Sequence, residues 1–232
     1  IYGVNTGFGP LSNITISTQE IRQLQSNLIR SHSTGVGEPL NTETVRGLML
    51  LRTNTLAKGY SGIRLKTLET LVEMLNKGVH PLIPAKGSVG ASGDLAPLSH
   101  MILVLMGEGK AEYKGRVMSG KEAMEKAGIK TIQLEFKEGI ALNNGTQLMT
   151  AIAALTVHDA RKLIKTAEAA DALTVEALLG ISDAFDERIQ KVRAHKGQAI
   201  TAKNIREMIA GSKLVQTGKE AIEKIQRPHD PY

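Results

Sequence analysis

The sequence predicts a mainly α protein, and three observations carry that prediction. Aromatic residues make up only 3% of the 232, with three Phe, four Tyr and no Trp. The core must then be built from Leu, Ile, Val, Ala and Met, which suits helix packing better than a β-sandwich. Apolar residues recur at helical spacing in several separate segments. Finally, no Pro and no internal Gly interrupts the Ala- and Leu-rich run from Thr146 to Gly180.

The elements follow in order. Residues 1–16 hold Tyr2-Gly3-Val4-Asn5-Thr6-Gly7-Phe8-Gly9-Pro10, a Gly-rich composition that reads as an irregular loop. Ser17-Thr18-Gln19-Glu20 matches a capping box, which predicts a helix from there to about Arg30. Gly35-Val36-Gly37 predicts a turn. Asn41 can cap a second helix with Val45, Leu48, Met49 and Leu56 on one face. A third helix fits Ile63 to Asn76, where Leu65, Leu68, Leu71, Val72 and Leu75 recur, and Gly78 ends it. Pro81, Pro84, Gly87, Gly90 and Gly93 mark a long irregular loop leading into a buried helix at Leu95 to Met106. Residues 111–118, where Tyr113 and Val117 flank Lys114-Gly115, read as a small hairpin. The run 146–180 is a single helix of about 50 Å. Its first third, Leu148 to Val157, is apolar nearly all round, which implies burial among other helices and sharing across an oligomer interface. Shorter helices are expected near 184–194, 202–210 and 219–226. No alternating strands, internal repeat or low-complexity linker is present.

Composition limits the function. There is no Cys, so disulfides and thiolate chemistry are excluded, and a cytoplasmic setting is expected. The chain begins at Ile1 without Met, so further residues are expected upstream. No apolar run reaches the roughly 20 residues a membrane helix needs, and no membrane partner is expected. The net charge is +6, with ten Lys or Arg against five Asp or Glu between Asp186 and Arg227. These basic residues alternate with apolar ones at helical spacing and have no aromatic set for base stacking, so they read as a solvated surface and no nucleic acid partner is expected. A P-loop, a G-x-G-x-x-G turn, a G-x-S-x-G elbow and an H-E-x-x-H helix are all absent. The six His are scattered, and no metal site is expected.

The informative segment is Gly87-Ser88-Val89-Gly90-Ala91-Ser92-Gly93-Asp94-Leu95-Ala96-Pro97-Leu98. In a tightly bent loop the amide nitrogen of Gly93 can attack the carbonyl carbon of Ala91 and close a five-membered ring. Loss of water from that carbon, and of a second water from the Ser92 side chain, leaves an exposed methylene. Gly93 has no Cβ to obstruct its nitrogen, Ser92 supplies the leaving hydroxyl, and Ala91 is small enough for the compression. The competing reading is a Gly-rich turn with Asp94 capping the next helix.

This run resembles the signature of the aromatic amino acid ammonia-lyases that use 4-methylideneimidazol-5-one (MIO). Other motifs agree and occur in family order. Tyr2-Gly3-Val4-Asn5-Thr6-Gly7-Phe8-Gly9 is similar to the family's first loop, and Leu24-Gln25 through Ser31-His32-Ser33-Thr34-Gly35-Val36-Gly37 to its second active-site segment. Lys137-Glu138-Gly139-Ile140-Ala141-Leu142-Asn143-Asn144-Gly145-Thr146-Gln147 is similar to its Asn-Gly-Thr segment, and Asp230-Pro231-Tyr232 to the start of a later one. The resemblance implies a long-helix bundle with a Gly-rich N-terminal active-site region, here a partial lyase domain. It divides into a loop-rich region around the tripeptide, residues 1–110, and a helical region, residues 111–232, without the C-terminal half.

The implied cofactor is MIO made from Ala91-Ser92-Gly93, with Asp94 helping the ring form. Tyr2 is the implied base that removes a β-proton, and Tyr232 a second active-site phenol. Asn144 would bind the ring carbonyl or the substrate carboxylate, or cap the next helix. His32 decides the substrate: Ser31-His32 resembles the histidine-specific members, because an imidazole wants a hydrogen-bonding partner where a phenyl ring wants an apolar wall. The implied reaction is non-oxidative deamination of L-histidine to trans-urocanate and ammonia, in a homotetramer with sites shared between subunits. Asn143 and His229 depart from the family pattern, affecting local packing and substrate contact. The carboxylate-binding Arg of the family lies beyond Tyr232, so residues 1–232 alone are expected to be inactive and poorly assembled. The alternatives are a phenylalanine or tyrosine lyase, an aminomutase, or a helical scaffold that has lost catalysis.

Overall fold

The computed structural model of this mainly helical protein describes residues 1–89, 92–226 and 229–230. It divides into two compact units, Ile1–Leu155 and Thr156–Tyr232.

The first unit opens with an irregular segment containing a 3-10 turn at Gly9–Leu11. Helix α1 then spans Ile21–His32. The capping box expected at Ser17 does not form. Ser17 to Glu20 make a turn of their own, with the Glu20 amide on the Ser17 carbonyl at 3.0 Å, and the Ser17 hydroxyl donates to the Glu20 carboxylate. The helix therefore starts at Ile21 without a side-chain cap. Strand β1 (Val36–Pro39) lies where a turn was expected. Helix α2 (Thr42–Ala57) is capped as expected, Asn41 Oδ1 accepting from the Thr44 amide at 2.8 Å. Helix α3 (Leu65–Lys77) ends at Gly78 with φ +73°, the left-handed closing residue that favours glycine.

Two short strands, β2 (Val79–Pro81) and β3 (Pro84–Lys86), precede helix α4 (Leu95–Leu105). Strands β4 (Lys110–Tyr113) and β5 (Arg116–Ser119) form the expected hairpin. Its two-residue turn, Lys114-Gly115, has positive φ at both positions, the arrangement whose twist matches paired strands. β2 extends the hairpin in the order β2-β4-β5, and β1 pairs antiparallel with β3. Helices α5 (Gly120–Lys126) and α6 (Glu138–Asn143) follow, then α7 (Gln147–Ala177), whose first turns belong to this unit.

α4 is apolar on nearly every side and sits at the centre of the core. Leu98, Met101, Ile102 and Leu105 are fully buried among Ile29, Leu48, Met49, Leu71, Met74 and Ile83. Truncating one of these leucines to alanine costs about 2–5 kcal/mol. The core thus fixes the start of α4, and with it Asp94.

The second unit contains the rest of α7, a 3-10 turn at Ser182–Phe185, and helices α8 (Glu187–Arg193), α9 (Lys196–Met208) and α10 (Gly218–Ile225). Ala172, Ile205 and Ile209 pack with Phe185 and Val215. α10 opens with a complete capping box, Thr217 with Glu220. Within Leu148–Val157, Leu148 and Ala151 are buried, whereas Met149, Ile152 and Val157 are 54%, 43% and 57% exposed. The burial expected on every side is therefore not supplied by the described residues of one chain. No helix among them is long and apolar enough to cross a membrane.

Candidate active site

The site is assembled where four irregular segments of the first unit meet. The segment after α6 comes first. Asn144 ends that helix with extended backbone, and Gly145 follows. Gly145 forms a parallel bridge with Gly93, and its carbonyl accepts from the Asp94 amide at 2.8 Å. Gly93 has φ +76°, and a Cβ there would meet the Gly145 carbonyl oxygen at 2.6 Å. Only glycine fits: a side chain would strain the left-handed backbone and force the two segments apart.

Asp94 is fully buried. Its Oδ2 accepts from the amides of Leu148 at 2.8 Å and Met149 at 3.1 Å, and its Oδ1 from the Ser88 hydroxyl. The carboxylate therefore does not cap its own helix. It caps the first turn of α7, where unpaired amides and the helix dipole favour an anion.

Tyr2 sits on the first loop. Its hydroxyl accepts from the Gly9 amide at 3.3 Å, and its ring meets Phe8 edge-on at 5.8 Å. The backbone beneath it is tied to α6. The Lys137 amide donates to the Gly3 carbonyl at 2.9 Å, and Lys137 Nζ to the Tyr2 carbonyl at 3.2 Å. Lys137 holds φ +72°, a conformation costly for a residue with a side chain. Glu138 supports it. That buried carboxylate accepts from Arg64 Nη2 at 2.7 Å, the Thr67 hydroxyl at 2.6 Å and the Glu135 amide at 2.9 Å. Burial pushes Glu138 up, but the Arg64 hydrogen bond, then Thr67 and two backbone amides, hold it below the usual carboxylate range. Gln25 completes the support, accepting from the Gly139 amide at 2.8 Å and donating to the Gly3 carbonyl at 3.3 Å.

These segments enclose a cleft of about 650 Å³. Of the residues singled out in the sequence, Tyr2, Ser92 and Asn144 line it together. Gly93 and Asp94 are not among the lining residues. His32 is the last residue of α1 and does not belong to the lining. Its Nδ1 lies 2.9 Å from the Leu28 carbonyl and 3.0 Å from the Ser31 hydroxyl. Ala91 and Tyr232 lie outside the described residues.

Lys137 and Gln147, the ends of the Asn-Gly-Thr segment, also line it, and Arg52 and Tyr60 are lining residues that went unread in the sequence. Arg52 had a signal. It interrupts the apolar face of α2 between Met49 and Leu56, a position where a cation is costly. It is 3% exposed, and its guanidinium donates to Gln147 Oε1 at 3.0 Å and to the Ala141 carbonyl. Its Nε has no partner among the described residues, and burial lowers its pKa to about 10.

The chain matches the model of the aromatic amino acid lyase family over residues 1–232, and it belongs to that family. It is 63% identical to the histidine ammonia-lyase of Alkaliphilus metalliredigens over 93% of this chain and 42% of that protein. It is 53% identical to the histidine ammonia-lyase of Streptococcus pyogenes over 100% of this chain and 44% of that protein. Among solved structures, a phenylalanine aminomutase from Pantoea agglomerans superposes with a TM-score of 0.90 at 37% identity, covering 100% of this chain and 45% of that one. The chain therefore spans less than half the length of the curated relatives it matches.

Proposed function

We propose that the chain belongs to a histidine ammonia-lyase that converts L-histidine to trans-urocanate and ammonia without oxidation. One observation carries the reading most: Ser92 opens into the cleft that Tyr2 and Asn144 also line, while its neighbour Gly93 is seated where no side chain fits. The likeness to curated histidine ammonia-lyases at 53–63% identity supports the substrate.

A MIO ring made from Ala91, Ser92 and Gly93 would supply an electrophilic carbon that makes an amine a better leaving group. The chain's own residues do the rest. Tyr2 is the base for the β-proton, its hydroxyl already oriented by the Gly9 amide. Asn144 holds the substrate carboxylate or the ring carbonyl, and Tyr232 is a second phenol of the site. His32 lies outside the lining of this cleft, and its role as selector of an imidazole rests on the Ser31-His32 resemblance: with Nδ1 on the Leu28 carbonyl, Nε2 is the atom left for a substrate. A homotetramer in the cytoplasm completes the proposal, with the exposed apolar residues of α7 covered by other subunits.

The test is a substrate panel on the full-length protein. Urocanate from histidine, without cinnamate from phenylalanine or coumarate from tyrosine, supports the reading. A second reading, aminomutase chemistry, is favoured by the 0.90 superposition on an aminomutase, and it predicts a β-amino acid product. Intact mass decides whether two waters have been lost; an unmodified serine there would defeat both readings.

A further inference from the structure

Six residue steps separate Ser88 from Asp94, and the tripeptide Ala91-Ser92-Gly93 lies between them. An extended chain of that length would span about 20 Å. Here the two ends meet, the Ser88 hydroxyl donating to Asp94 Oδ1.

Both ends are also anchored separately. Upstream, β3 pairs with β1, and Gly87 is wedged so that an added Cβ would meet Gly35 Cα at 3.1 Å and Ala96 Cβ at 3.2 Å. Downstream, Asp94 opens the buried helix α4, its amide is on Gly145, and its Oδ2 holds two amides of α7. With Oδ2 committed to that helix, Oδ1 is the oxygen that reaches back across the loop.

We propose that Ser88 is a positioning residue for cofactor maturation: its hydrogen bond to Asp94 holds the loop's two ends together and so favours ring closure within it. The inference rests on the lyase reading above. In the closure the Gly93 nitrogen forms a bond to the Ala91 carbonyl carbon. The Ala91 oxygen leaves as water with the amide protons of Gly93 and Ser92. The Ser92 Cβ–O bond then breaks, and its hydroxyl leaves with the Ser92 Cα proton as the second water. No oxidant or other reactant is needed. The step is limited by how often the bent conformer is sampled, and pinning the ends raises that fraction by removing extended conformers. Ser88 does not line the cleft, and it acts through Asp94.

The experiment follows the loss of two waters by intact mass after pulsed expression of the full-length protein, in wild type, Ser88→Ala, Ser88→Thr and Ser88→Val. Ser88→Ala removes one atom at a half-buried position and leaves the core alone. Thr and Val are near-isosteric and differ in the hydroxyl. The expected result is that Ser88→Ala and Ser88→Val mature roughly tenfold more slowly, the low end of what a hydrogen bond to a charged group is worth. Ser88→Thr should keep pace with wild type. Turnover per dehydrated polypeptide should be the same in all four, which a role in catalysis would not allow. Equal rates of water loss in Ser88→Ala and wild type, or in the Thr and Val variants, would overturn the role of Ser88 alone. A wild type that never loses the waters would sink the lyase reading and this inference with it.

Discussion

Replacing Glu138 by alanine tests the support under Tyr2. The carboxylate is fully buried and accepts from the Arg64 amide at 3.1 Å, Arg64 Nε at 3.1 Å and Nη2 at 2.7 Å, the Thr67 hydroxyl at 2.6 Å and the Glu135 amide at 2.9 Å. Breaking a buried ion pair from one side costs about 3–5 kcal/mol. The Arg64 side chain is 41% exposed and regains water, so its share of the loss is small. The three other donors, two amides and a hydroxyl, each lose about 1 kcal/mol, and together they make about 3 kcal/mol. Urea unfolding of the full-length protein at neutral pH reads this directly. Glu138→Gln, which keeps one carbonyl oxygen, should lose roughly half as much. The sign of the pH dependence follows from the lowered carboxylate. Its contribution is present above the unfolded value, about 4.3, and is lost as pH falls through the lower folded one. Wild-type stability should therefore fall more steeply below about pH 4 than that of Glu138→Gln. A loss under about 1 kcal/mol in Glu138→Ala would refute the accounting and the idea that this carboxylate fixes the Lys137 turn.

Four further outcomes are expected. Gly93→Ala should abolish the loss of two waters in an intact-mass measurement, because its Cβ would stand 2.6 Å from the Gly145 oxygen. Tyr2→Phe should lower turnover about 10²–10⁴-fold with an unchanged melting temperature, the usual weight of a general base. His100 accepts from the Gly35 amide at 3.1 Å and burial lowers its pKa, so the stability it lends is present above about pH 6.5 and lost as pH falls below it. Melting curves across that range should show the decline, and His100→Gln should flatten it. Arg52→Lys should destabilise by about 2–3 kcal/mol in urea, because one ammonium cannot reproduce the fork that reaches both Gln147 and Ala141.

Elements whose signals are local were legible. Asn41 caps α2, Gly78 ends α3 and Lys114-Gly115 turns the hairpin, each through chemistry contained within a few residues. The capping box at Ser17 misled because the same residues can close an isolated turn, and nothing in the segment says which helix start wins. The box at Thr217 was as clear and was read only as a helix from 219. β1 and β3 were missed because each is short, contains proline, and exists through the other some fifty residues away. α6 was missed because it begins at a Lys in a left-handed conformation that no propensity favours; the tertiary grip on Glu138 imposes it. In the site, Tyr2, Ser92 and Asn144 were singled out in the sequence and line one cleft, whereas Arg52 acquires meaning only once α2, α6 and the first loop converge.

The contact between Gly93 and Gly145 is made by main chain alone. Nothing in it depends on the identity of a side chain that a substrate could touch. Replacements around the rim of the cleft can therefore change its shape and polarity while Gly93 stays seated against Gly145.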